Sequence, residues 1–276
     1  TSIASLSSLQ RAFVIGSFLR KDHPLIAHRL RQAAKRGAQI HVLHSVDDDW
    51  LMPIASKTIV APSALPGAIA AFSDTLAGGR NPAVLLGNFA QQHPQAAAIH
   101  AAAQALGVKL GFLGEAANSV GGHVAGLPSG GGLPAVLKKE ALLLLNVEPA
   151  LQCADPRAAS RARTCACRST LRAASRARFV VNLSAWKSDV GDVLLPVAPF
   201  TETAGTFINT EGRVQSFHAC ARPPGDARPA WKVLRVLGTM LGRPGFEFDT
   251  VEEVRRTCLG NADVATLLSN AIEVQV

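Results

Sequence analysis

The chain has 276 residues, close to half of them apolar, enough to bury a sizeable core as one large α/β domain or two small ones. Its purest apolar run, Ala141-Leu-Leu-Leu-Leu145, falls far short of the ~20 residues a membrane helix needs, so no bilayer span is expected. The net charge of +8 is one local feature: residues 157–178 hold seven arginines and no acid, and setting these aside leaves 21 basic residues against 20 acidic ones. Tyr is absent and aromatics are scarce, so the interleaved basic and stacking side chains of a single-strand nucleic-acid binder are missing and no nucleic-acid partner is expected.

In chain order, Arg11-Ala-Phe-Val-Ile-Gly16 reads as a strand ending in glycine, and Leu25 to Arg36 as a helix with Pro24 in its first turn and Gly37 closing it. Gln39-Ile-His-Val-Leu43 is the next strand. The arrangement returns downstream as the strand Ala83-Val-Leu-Leu-Gly87, then His93-Pro94, an alanine-rich helix to Leu106, Gly107 and the strand Val108–Phe112. Gly16 and Gly87 stand 71 positions apart, whereas His23 and His93, Pro24 and Pro94, and Gly37 and Gly107 each stand 70 apart, so one deletion brings two βαβ units into register. Such units imply parallel strands with right-handed helical crossovers, and a ligand cleft where the strands end. Gly16 and Gly87 lie at those ends, but neither copy is G-x-G-x-x-G, and a glycine easing a tight strand-to-helix turn is the favoured reading of each, ahead of dinucleotide binding. His23 and His93 are expected as capping or turn residues.

Between the copies, Lys57–Ala61 is predicted as a strand and Leu65 to Leu76 as a helix, with Asp47-Asp-Asp49 a solvated loop rather than a cation site. Ser129-Gly-Gly-Gly132 reads as a surface loop, and Ala141–Val147 as a fully buried strand followed by Glu148-Pro149. From Ala154 to Arg178 the only large aliphatic residue is Leu171, so a crossover helix there has no apolar face to bury. Three readings stay open for this stretch: a solvated insertion, a site for an acidic partner or RNA, or a local reading-frame irregularity.

Phe179–Leu183 is the next strand, and Asp192–Pro199 reads as a short buried one with proline at its end. Thr206–Asn209 and Arg213–Phe217 alternate apolar and polar residues about Thr210-Glu211-Gly212, with Gly212 suited to a positive φ, which predicts a hairpin. Asp226 is expected to cap a helix with the stripe Trp231, Leu234, Leu237 and Leu241 ending at Gly242, and Asp249-Thr250 to open another over 251–259. Five cysteines sit at 153, 165, 167, 220 and 258; Cys165-Ala-Cys167 is too close for a C-x-x-C ligand pair, so no metal site is expected and the thiols read as reduced, in a reducing compartment. The chain opens at Thr1 without a basic start and apolar stretch, so no secretory signal is expected, and the absence of an initiator Met suggests processing or a piece of a longer chain.

The run from Gly191-Asp-Val-Leu-Leu-Pro196 through Pro199–Phe217 to Ala227–Gly238, with Glu115-Ala-Ala-Asn-Ser-Val-Gly-Gly122 upstream, resembles the C-terminal part of the large, 75 kDa iron–sulphur subunit of respiratory complex I, the NADH–quinone oxidoreductase. More broadly, Glu202-x-x-Gly-Thr-Phe-x-Asn-x-Glu-Gly-Arg-x-Gln215 resembles the hairpin of the molybdopterin oxidoreductase superfamily. The expected fold is α/β: a doubly wound, largely parallel sheet of repeated βαβ units with a C-terminal hairpin and helices. Its expected parts are 1–78 and 79–150 as the two units, 151–178 as the atypical arginine segment, and 179–276 as strand, hairpin and helices. The resemblance implies a scaffold region without redox centres, iron–sulphur clusters only in the family's N-terminal region, other peripheral-arm subunits as partners, and membrane contact only through the complex. The implied location is the cytoplasmic face of a bacterial inner membrane, or the matrix side of a mitochondrial one. The alternative is a fragment of a catalytic, formate dehydrogenase-like enzyme holding a pterin dinucleotide. The vestigial cleft candidates are then Gly16, Gly87, Glu202, Asn209, Glu211 and Arg213, with no catalytic or metal-binding residue expected.

Overall fold

The computed structural model describes residues 2–127, 135–136, 138–147, 177–188, 190–260, 263–264 and 268. By its contacts the chain forms two compact units, one comprising Thr1–Gly121, Phe207–Val214 and Ala262–Val276, the other Gly122–Thr206 and Gln215–Asn261.

The first unit runs β1 (Arg11–Ile15), α1 (Leu19–Asp22), α2 (Pro24–Lys35), β2 (Gln39–His44), β3 (Ser56–Ile59), α3 (Leu65–Ala68), α4 (Ser73–Ala77), β4 (Pro82–Leu86), α5 (Asn88–Gln91), α6 (Ala96–Ala105) and β5 (Lys109–Phe112), with α7 (Ser119–Val124) following. The strands form one parallel sheet in the order β3-β2-β1-β4-β5. Both predicted βαβ repeats therefore share a sheet, meeting where β1 pairs with β4. Ala-Phe-Val-Ile in β1 and Ala-Val-Leu-Leu in β4 are buried throughout, as parallel strands covered on both faces require. Ala12, Val14, Ile40, Val42 and Leu85 pack with Ile26 and Leu30 of α2 on one face. Phe13, Ile15, Leu43, Val84 and Leu86 pack with Leu65, Ile69, Phe72, Leu76 and Ile99 on the other. The change of face follows from handedness: right-handed crossovers that step outward from the centre in opposite directions place their helices on opposite sides.

Local signals act largely as the residues dictate. Pro24 opens α2, and Gly37 at φ +93° takes the left-handed conformation past its end. Leu65 to Leu76 is not the continuous helix expected. It breaks into α3, a 3-10 turn at Ala70–Phe72 and α4, although Leu65, Ile69, Phe72 and Leu76 all remain buried. Gly67 weakens the first turn, and tightening the hydrogen-bond pattern at Ala70–Phe72 keeps the same four side chains on the sheet.

The second unit holds β6 (Ala141–Leu145), β7 (Phe179–Ser184) and β8 (Val193–Pro196) in a parallel three-stranded sheet of that order. The antiparallel hairpin β9 (Gly205–Ile208) and β10 (Val214–Phe217) contributes residues to both units, and α8 (Ala230–Met240) and α9 (Val251–Leu259) belong to the second. The expectation that Ala141–Val147 and Asp192–Pro199 are buried strands fails. Leu142 packs with Ala177, Val180 and Leu144, while the opposite face exposes Leu143 (45%), Phe179 (47%), Leu145 and Val193. Period-two alternation sends neighbouring leucines to opposite faces, and only one of these faces is well covered. Asp226 does not cap α8, which starts at Ala230 after Pro229; Asp226 sits instead in the turn closed by Ala227 N donating to Pro224 O at 3.1 Å. Thr250 does open α9, with a reciprocal capping box to Glu253. The loop Ser129–Gly132, the arginine stretch 154–176 and Cys153, Cys165 and Cys167 lie outside the described residues.

Candidate functional site

The carboxyl ends of β1, β2 and β4 converge at the point where the strand order reverses, the place where open α/β sheets hold ligands. Gly16 and Gly87 meet there. Gly87 N donates to Ile15 O at 2.9 Å, Phe89 N donates to Gly16 O at 3.0 Å, and a Cβ on Gly87 would stand 2.5 Å from Gly16 O and 2.3 Å from Ser17 Cβ. A Cβ on Gly16, which has φ +58°, would stand 2.6 Å from Ala90 N. The two glycines permit the close approach of one repeat's turn to the other's, and they leave no open cradle between them.

Around this contact are residues that the sequence reading passed over. Ser17 Oγ, His44 Nε2, Ser45 Oγ and Asn88 Oδ1 are buried without a hydrogen-bond partner among the described residues. The His44 ring lies 4.6 Å from Phe18 and 5.1 Å from Phe89, centroid to centroid, and its Nδ1 accepts from Val46 N at 2.9 Å. Burial pushes the His44 pKa down, outweighing the opposing pull of Asp48 and Asp22. A polar residue within two positions of each strand end was the available signal. Beside the cluster a groove of about 640 Å³ is lined by Pro62, Phe89 and His93 among others.

Asn209, Glu211 and Arg213 form a second, separate group at the hairpin turn. Asn209 Oδ1 accepts from the backbone N of Glu211 and of Arg213, at 3.0 and 2.9 Å, while Gly212, at φ +80°, donates to Asn209 O. Glu211 Oε2 lies 3.4 Å from Arg213 Nε, and its Oε1 accepts from Ile3 N. Its side chain is only 13% exposed. The Ile3 hydrogen bond, aided by Asn209 and Arg213 and opposed by burial, holds the Glu211 carboxyl below the usual range. Glu202 lies in the second unit, with Oε2 buried and without a hydrogen-bond partner among the described residues.

The loop after β5 secures this hairpin. Asn118 Oδ1 accepts from Ile208 N at 2.9 Å, Thr210 Oγ1 accepts from Gly114 N at 3.3 Å, and His23 Nε2 donates to Gly114 O at 2.8 Å. His23 holds the N-cap position of α2 without a side-chain cap, its ring bridging to the loop after β5, while His93 Nδ1 accepts from Gln95 N in a local turn and its Nε2 donates to Pro62 O at 3.0 Å. Gly121 fits beneath Asn118, because a Cβ there would lie 2.0 Å from Asn118 Oδ1. Asp47 pairs with Lys57, Cys220 and Cys258 are exposed free thiols, and no group of three metal-ligating side chains exists among the described residues.

A five-stranded parallel sheet with its switch-point turns closed by paired glycines, followed by this hairpin, defines a doubly wound α/β region, and the chain belongs to the molybdopterin oxidoreductase family, whose match covers residues 1–240. It is 45% identical over 64 residues to the 78 kDa subunit of NADH-ubiquinone oxidoreductase from Candida albicans, covering 23% of this chain and 9% of that protein. It is 35% identical over 86 residues to the 75 kDa subunit from Reclinomonas americana, 31% of this chain and 12% of the relative. A third relative is the F420-dependent formate dehydrogenase 1 subunit alpha of Methanococcus maripaludis, 41% identical over 68 residues, 24% of this chain and 10% of the relative. The matched stretches thus span about a tenth of these relatives' length.

The cleft candidates do not fit a pterin dinucleotide as they stand. Gly16 and Gly87 are pressed together, and Asn209, Glu211 and Arg213 are engaged with one another and with Ile3. Ser17, His44, Ser45 and Asn88 carry hydrogen-bonding atoms of the right kind, but these are sealed from solvent.

Proposed function

We propose that the chain is a scaffold region of the large iron–sulphur subunit of a respiratory NADH–quinone oxidoreductase, placed in the peripheral arm beside the electron path and holding no redox centre of its own. The observation that carries this reading is how the cleft residues are spent: Gly16, Gly87, Asn209, Glu211 and Arg213 each close the fold on itself. The likeness to the 78 and 75 kDa subunits supports it. The iron–sulphur ligands of such subunits belong to an N-terminal region whose grouped cysteines have no counterpart in this sequence. No helix among the described residues is long and apolar enough to cross a membrane, in keeping with a peripheral subunit held to the membrane through its complex. The site is the cytoplasmic face of the inner membrane in a bacterium or the matrix side in a mitochondrion, and no independent activity is expected.

The test is mass spectrometry of what co-purifies with the chain from gently solubilised membranes. Recovery with the flavin-bearing and quinone-side subunits is the expected result, and a chain running alone in the soluble fraction overturns it. A second reading, a formate dehydrogenase-like enzyme holding a pterin dinucleotide, is favoured by the Methanococcus likeness and by the unpartnered polar atoms at the switch point. Stoichiometric molybdenum in the purified protein would establish that reading against the first.

A further inference from the structure

Helix α8 is more apolar than one buried face requires. Leu234 and Gly238 turn one way, with Gly238 buried tightly enough that a Cβ would stand 2.3 Å from the Phe246 ring. Val233, Val236, Leu237 and Met240 form a second stripe at helical spacing that buries none of its members fully, and Met240 is 81% exposed. This stripe lines a groove of about 540 Å³ within the second unit, with Leu195 of β8 and Trp231 also in its wall. Exposed Leu143, Leu145, Phe179 and Val193 give that unit further uncovered apolar surface on its sheet.

The charges around the groove are unequal. Arg228, Lys232 and Arg235 line it against one acid, Asp249, which is already paired with Arg235. Arg228 is held by the carbonyls of Gly225 and Ala227, and the Lys232 ammonium lies 5.3 Å from the centroid of the Trp231 ring. Among the described residues neither meets a carboxylate. We propose that this groove receives an amphipathic helix of a neighbouring subunit, with its apolar stripe against Leu195, Trp231, Val236 and Met240 and its acidic flank on Arg228 and Lys232. The inference rests on the assembly reading above and names the surface that would serve it. A second copy of the chain suits the groove poorly, because a self-complementary contact would set two basic rims against each other. A lipid surface suits it poorly as well, since interfacial binding calls for a protruding amphipathic face and this one is concave. Helix-in-groove recognition, with a tryptophan anchor and a charged rim, matches both the shape and the sign.

The experiment measures fluorescence anisotropy of the full chain with a labelled synthetic helix of about 18 residues, carrying leucines at i, i+3, i+4 and i+7 flanked by glutamates, and with its twin flanked by lysines. The expected result is a preference of about tenfold or more for the glutamate helix, reversed in sign by the double substitution R228E/K232E. Met240→Glu, at an exposed position, is expected to abolish binding of both helices while the far-ultraviolet circular dichroism stays unchanged. Equal affinity for the twins, binding of neither, or competition for the groove by a second copy or by anionic phospholipid vesicles overturns the proposal. Co-purification with the complex alongside equal affinity sinks the groove and leaves the assembly reading standing. A glutamate preference in a chain that purifies alone does the reverse.

Discussion

The described residues form two parallel sheets from similar apolar residues, and they are finished differently. In the first unit, β1 and β4 are buried along almost their whole length because helices cover both faces. In the second, β6 is as rich in leucine as any strand in the protein, yet buries only Leu142 fully. The composition of a strand therefore does not decide its burial; the layers that the rest of the chain or a partner lays over it do. The first sheet has its layers within the unit, and the second presents a face suited to contact.

The sharpest way to expose this difference is to truncate a leucine in each sheet. Leu43→Ala, at a fully buried position, is expected to cost about 2–5 kcal/mol, and Leu143→Ala, nearly half exposed, less than about 1 kcal/mol, both read from urea denaturation midpoints. Gly87→Ala should rank next, at about 1–3 kcal/mol, because its Cβ would press on Gly16 O and Ser17 and neither backbone can yield easily. Asn118→Ala removes the acceptor of Ile208 N and is expected to cost about 1–2 kcal/mol, with faster amide exchange at Ile208 as its specific sign.

Acid should also separate the two units, though more gently. His44 has a lowered folded pKa, so the unfolded chain takes up the proton first and stability rises with pH. Its contribution is whole above about pH 6.5 and is lost as pH falls through the lowered folded value. Glu211 also has a lowered folded pKa; its contribution is present above the ordinary carboxylate range and is lost at still lower pH. Because every buried histidine among the described residues lies in the first unit, amide exchange there is expected to accelerate at milder acidity than in the second. The smallest effect is expected from Arg213→Ala, within about 0.5 kcal/mol, since its pair with Glu211 is largely solvated on the arginine side.

What could be read in the sequence was mostly local or periodic. The 70-residue repeat shows as a period, whereas the turn glycines 37 and 212 and the Thr250 cap depend on residues close in the chain, and each appears where its chemistry requires. Burial in the second unit was misjudged because Ala-Leu-Leu-Leu-Leu is the pattern of a covered strand, and the sequence does not say whether the cover is present. The cap assigned to Asp226 failed because Pro229 starts the helix later and the aspartate is taken into the preceding turn. Asn118 and the polar set Ser17, His44, Ser45 and Asn88 were hidden for another reason. Asn118 meets Ile208 90 positions away, and the polar set comes together only once strands some 30 to 70 residues apart stand side by side.

The central place of β1 has a consequence for a chain emerging from the ribosome. Arg11 pairs with Gln39, 28 positions on, but its other edge must wait for Pro82, 71 positions on. Until β4 is made, the most apolar strand of the nascent first unit carries an open row of donors and acceptors, a template for pairing with another molecule. A chain that has emerged from the ribosome only as far as residues 45 to 80 is therefore expected to be an aggregation-prone intermediate, and one that holds a chaperone until the second repeat arrives.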